Sequence, residues 1–175
     1  MVTPMVRTLK VAALAALVLL AQGCARKSQE SGAAEAAHAV LAAVWSGDVK
    51  QFEATVDRPA LRADLRRQLL AVAQVNTLSV EGGASDAALD RMITPDAFRM
   101  VEQQTGAPLP AAPTKAQIQA LLKPAGKDRA CVQAAAPEQA CLLTFAKEKT
   151  GWRLVGMAPA GFTIAVAPEP PKKSS

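Results

Sequence analysis

Alanine holds 38 of the 175 positions, and no other feature constrains the fold of this chain as much. Alanine favours helix but buries little surface, so an apolar count swollen by it promises helices around a thin core. Half of the residues count as hydrophobic, yet only 3% are aromatic, and Leu, Ile, Val and Phe together number 40. Nine of those lie in the first 23 residues, and without that segment 31 remain in 152, about 20%. That is the composition boundary below which chains tend to be disordered. One small domain is therefore the ceiling. A single His and no Tyr leave little material for metal binding or acid–base catalysis.

Residues 1–23 read as an export signal. Arg7 and Lys10 give a positive start, and residues 11–21 are an unbroken apolar run of eleven. As helix, eleven residues span about 16 Å at roughly 1.5 Å each, half of a hydrocarbon core of about 30 Å. That length favours a signal-peptide core over a transmembrane helix, with an uncleaved signal anchor as the rival reading. Ala21-Gln22-Gly23-Cys24 resembles the bacterial lipoprotein lipobox. The resemblance implies that the Cys24 thiol carries acyl chains such as palmitate and that cleavage falls just before it. It also implies sorting, because Ala25 stands where an Asp would hold the protein at the inner membrane. The expected site is the outer membrane, facing the periplasm, with a membrane anchor of two or three chains at about 0.8 kcal/mol per buried CH₂.

Cleavage changes the charge. The net +5 falls to +3, with 18 basic and 15 acidic residues, and no nucleic-acid partner is expected. Residues 24–32 form a lipidated tether without apolar periodicity, in which Arg26 and Lys27 stand beside the lipid headgroups.

Residues 33–45 read as a helix striped by Val40, Leu41, Val44 and Trp45. Gly47 suits a left-handed C-terminal position, and Asp48 caps a helix to Val56 with Val49, Phe52 and Val56 on one face. Asp57 and Pro59 start a third helix, striped by Leu61, Leu65, Leu69 and Val72. Residues 79–85 are a Gly-rich loop, and a short helix follows over 86–93. Thr94-Pro95-Asp96 predicts another helix, packing through Ala97, Phe98 and Val101 and stopping near Gly106. Residues 107–113 form a stiff linker. Thr114 caps a last short helix with Ile118, Leu121 and Leu122, ended by Pro124.

Beyond Asp128 the pattern turns to strands. Residues 141–147 and 151–157 read as a hairpin, with Trp152 and Leu154 on one face and Val155 and Met157 on the other. Residues 162–166 are a further short strand. The expected class is α+β: several short helices followed by a small antiparallel β-sheet of hairpins near the C-terminus. It forms one domain over 33–166, with a disordered Pro/Lys tail at 167–175.

Cys131 and Cys141 are exported with the chain into an oxidising compartment. A turn over 134–138, centred on Ala136, sets the two directly opposite each other, within disulfide range. A redox-active pair and free thiols are the rival readings. The spacing is not Cys-X-X-Cys, and no His accompanies it.

No convergent set of catalytic groups, metal ligands or cofactor-binding residues emerges. His38 reads as a helix-surface histidine, and Gly82-Gly83 lacks the Lys-Ser/Thr partner of a phosphate loop. Arg58, Arg62 and Arg66 recur every four residues, so they line one helix face. That face reads either as a solvated surface or as an anion- and partner-binding stripe for lipid headgroups or an acidic partner.

The string Ser46-Gly47-Asp48, then Val56-Asp57-Arg58-Pro59-Ala60-Leu61-Arg62, then Gln68-Leu69 resembles a bacterial family of domains of unknown function, number 2939. Ile93-Thr94-Pro95-Asp96 and the closing Gly151-Trp152-Arg153-Leu154 extend the likeness over about residues 36–158. The resemblance implies a domain identity and no catalytic role. The expected function is therefore a non-enzymatic, lipid-anchored envelope protein that binds a protein partner, without cofactor or metal. The alternative is a periplasmic carrier of a small ligand or lipid. An enclosed apolar pocket favours the carrier, and an open apolar patch favours the partner surface.

Overall fold

The structure, a computed structural model, describes residues 31–75, 83–133, 141–159 and 161–169. The export signal, Cys24, nearly all of the tether, the 134–138 turn, residues 79–82 of the Gly-rich loop and residues 170–175 of the tail lie outside the described residues.

Helix α1 spans residues 31–46 and buries Ala33, Ala37, Val40 and Leu41, one helical face. Among the described residues it already includes 31 and 32, ahead of the expected boundary at 33. A Cβ at Gly32 would stand 2.8 Å from the Trp152 ring, so glycine lets α1 pack directly on that indole. Gly47 takes the left-handed turn (φ 68°), and the Asp48 carboxylate accepts from the Gln51 N–H at 2.9 Å to open α2, Val49–Thr55. Phe52 and Val56 are buried as expected, whereas Val49 is 57% exposed. Helix α3, Arg58–Val75, starts where Asp57 Oδ1 accepts from the Ala60 N–H. Leu61 and Leu65 are buried and Leu69 packs against the core, but the stripe ends there, with Val72 exposed. Helix α4 is Asp86–Met92.

Thr94-Pro95-Asp96 opens only a 3₁₀ turn, Pro95–Ala97, and strand β1, Phe98–Glu102, replaces the expected helix. Phe98 and Met100 point inward and Arg99 outward, a period of two. Phe98 stacks on Phe162 with ring centroids 4.9 Å apart, and β1 runs parallel to β6, Phe162–Val166. A partner 64 residues away thus overrides a strong local start signal.

Helix α5, Lys115–Leu121, carries the full capping box of Thr114 and Gln117. Leu122 leaves it for β2, Leu122–Pro124, the edge of a four-stranded antiparallel sheet. The order continues through β3, Arg129–Gln133, β4, Cys141–Glu148, and β5, Gly151–Met157. Two bulges adjust it. An extra residue in β5 at Val155 returns Met157 to the core beside Leu154, so Val155 and Met157 do not share a face. The regular register sets Cys131 opposite Thr144, and a second irregularity, at Leu142, then sets Cys141 opposite Gln133. The cysteines therefore meet across a bulge rather than directly opposite, with Cα atoms 5.6 Å apart and sulfurs at bonding distance, 2.06 Å.

Helix α3 lies on β5. Asp64 Oδ2 accepts from the Met157 N–H at 3.2 Å, and Gln68 Nε2 donates to the Met157 carbonyl at 2.9 Å. The outer edge of β5 is covered where Val56 bridges Leu154 and the Asp57 N–H donates to the Leu154 carbonyl. The class is α+β. The expected tail is held at its start, because the Ala167 carbonyl accepts from Gln117 Nε2 at 2.7 Å.

Candidate functional site

Three surfaces bear on function, and the arginine stripe is the first. Spacing by four puts Arg58, Arg62 and Arg66 on the face of α3 that meets α4. Arg62 grips Asp90 with two bonds, 2.8 and 2.6 Å. Arg58 bonds Asp90 at 3.0 Å, the Ile93 carbonyl at 3.2 Å, and Glu53. Arg66 reaches Asp86 at 2.6 Å. The hydrogen bond from Arg62, helped by Arg58, pulls the Asp90 carboxyl down to about 2. Three guanidiniums thus face three carboxylates of their own chain. The acidic groups that Arg58, Arg62 and Arg66 meet are therefore internal, with the three side chains still 25%, 29% and 39% exposed.

The second surface was not legible as a site. Lys123, Lys127 and Arg129 on the β2–β3 hairpin border an open groove of about 570 Å³. Ala33 of α1 and Gln119 of α5 close its sides, and Trp152 of β5 lines it. All three cations are exposed, and among the described residues none of them enters an ion pair. The composition of the hairpin, three bases against Asp128, was the available signal. What sequence does not show is that α1 and Trp152 meet beside it.

The third surface is apolar. Val44 and Trp45 end α1 beside Phe98, Met100 and Val101 of β1 and Leu109 beyond it, bordering an open groove of about 600 Å³. Trp45 is 47% exposed; β1 pairs with β6 on one side, and on the other Val101 is bridged to Pro108 and the Glu102 N–H donates to the Ala107 carbonyl at 2.8 Å. The sequence pattern puts Trp45 on the core stripe, but one turn past Leu41 it overhangs the groove instead.

His38 is half-buried on α1, and no group of three or more His, Cys, Asp or Glu among the described residues is placed to hold a metal ion. Among the described residues no helix is long and apolar enough to cross a membrane. At the start of α3, burial pushes the Glu148 carboxyl up, and Asp57 pushes it further while Arg153 opposes.

No curated protein and no solved structure matches the chain. Residues 31–101 match the family model described as "Protein of unknown function (DUF2939)". The match covers α1 to β1 and stops short of the Gly151–Leu154 motif, so the likeness is narrower than the sequence strings implied. Within it fall the Asp48 and Asp57 caps, the Arg58, Arg62 and Arg66 seam, and Trp45.

Proposed function

We propose that this protein is a lipid-anchored lipoprotein of the bacterial envelope, held at the outer membrane through Cys24, that works without catalysis by binding a protein partner. The observation that carries the reading is the apolar groove beside Trp45. A half-exposed Trp over an open apolar groove supplies the aromatic anchor on which recognition of a protein partner concentrates its affinity. Its openness supports a protein surface over a carrier, since a carried ligand needs most of its own surface enclosed.

In-cell photo-cross-linking from position 45, followed by mass spectrometry, tests this. A specific envelope protein is the expected adduct, and Trp45→Ala in the otherwise native lipoprotein removes its co-purification. Co-purification of a lipid in place of a protein would transfer the reading to the carrier.

A further inference from the structure

We propose that the groove of Lys123, Lys127, Arg129 and Trp152 is the face by which the domain lies on anionic phospholipid headgroups of the bilayer holding its acyl chains. The inference rests on the lipid-anchor reading above and adds an orientation to it.

Three observations converge. The first is where positive charge remains unspent. Arg58, Arg62 and Arg66 are neutralised by Glu53, Asp86 and Asp90. Nine cations enter no ion pair among the described residues, and three of them, Lys123, Lys127 and Arg129, gather on this one hairpin, three to one against Asp128. The second is position. Gly32 seats on Trp152 and Ala33 lines the groove, so the groove opens where the tether enters the domain. The third is reach. Ser31 is seven residues after Cys24, and seven residues extend at most about 25 Å. The groove is therefore held at high effective concentration over the bilayer surface. Trp152 adds an amphipathic ring of the kind favoured at that interface.

The test uses the full acylated protein reconstituted into vesicles, with a nitroxide on the lipid headgroup as quencher. Trp45→Phe leaves Trp152 as the reporter, and Trp152→Phe leaves Trp45. The expected result is strong quenching of Trp152 in vesicles containing phosphatidylglycerol, weak quenching in pure phosphatidylcholine, and loss of the difference at high salt. Each basic residue at an anionic surface strengthens partitioning about fivefold. The unacylated full chain carrying Lys123→Gln, Lys127→Gln and Arg129→Gln therefore binds anionic vesicles about a hundredfold more weakly, with an unchanged melting temperature. Equal quenching in both vesicle types, stronger quenching of Trp45, or unchanged binding by the triple variant overturns the proposal. Flotation with neutral vesicles at high salt reports the acyl anchor alone. Flotation without anion-dependent quenching leaves the anchor reading standing and sinks the groove. Salt-sensitive binding without flotation does the reverse. Displacement by a soluble acidic polysaccharide would reassign the groove to a wall polymer and overturn the lipid reading.

Discussion

Gly156 shows how tightly α3 sits on the sheet. A Cβ there would stand 2.9 Å from Asp64 Oδ2, the oxygen that also accepts from the Met157 N–H. Gly156→Ala is expected to cost about 1–3 kcal/mol, and urea unfolding of G156A, D64A and the double variant checks it. The double variant should lose less than the sum, because the clash and the hydrogen bond share one carboxylate. Acid titration separates two other carboxyls. The folded state holds Asp90 down to about 2 against an ordinary 3.8, so its stabilisation is complete above that ordinary value and is lost as pH falls toward about 2. Asp90→Asn should be less stable near neutrality and lose less on acidification. Glu148 runs the other way: burial and Asp57 raise it above 4.5, so the folded state favours the protonated form. Stability then declines as pH rises through that raised value, and Glu148→Gln should flatten the decline in chemical denaturation. The caps at Asp48, Asp57 and Thr114 were legible because each bond closes within three residues. The partners of the arginines were not, since Asp90 lies 28 and 32 residues away from Arg62 and Arg58.

Helices α1 to α5 follow the sequence pattern closely, because periodicity and capping act over a few residues. β1 does not. Its Thr-Pro-Asp opening carries a helix-start signature, but the alternation Phe98, Arg99, Met100 suits a strand once β6 supplies a partner. Bulges are equally hidden, because one inserted residue shifts register without altering composition. Of the candidate surfaces, the charge of the basic groove could be counted in the sequence. Its shape could not, since it joins residues from position 33 to 152. The hairpin gives the prediction at this scale. Cys131 and Cys141 close a loop of sequence separation 10, and the chain-entropy model puts that link at about 2.5–3 kcal/mol. Replacing both by Ser should lower the denaturation midpoint by the amount that reductant lowers it in the native chain. A midpoint insensitive to reductant would mean that the thiols are free.

At the scale of the molecule, alanine turns from a deficit into a packing device. Ala33, Ala34, Ala37 and Ala43 are buried along α1, where small side chains let the helix approach its neighbours closely. The core is thin, so the molecule depends on covering its edges, as Val56 and Asp57 do for β5. The anchor reading makes a prediction for the whole chain: Cys24→Ser should leave the protein unacylated and shift it from the membrane to the soluble fraction, with an unchanged thermal melt. Fractionation and intact mass check both. The parallel pairing of β1 with β6 also sets an order of events. Phe98 is synthesised long before Phe162, and β2 to β5 must all be made between them. Until the last strand arrives, β1 waits with its β6 edge open and its aromatic ring unstacked, so completion of the fold is deferred to the end of synthesis. Chains interrupted before Phe162 expose an apolar strand beside Trp45, and they are the species most prone to aggregate.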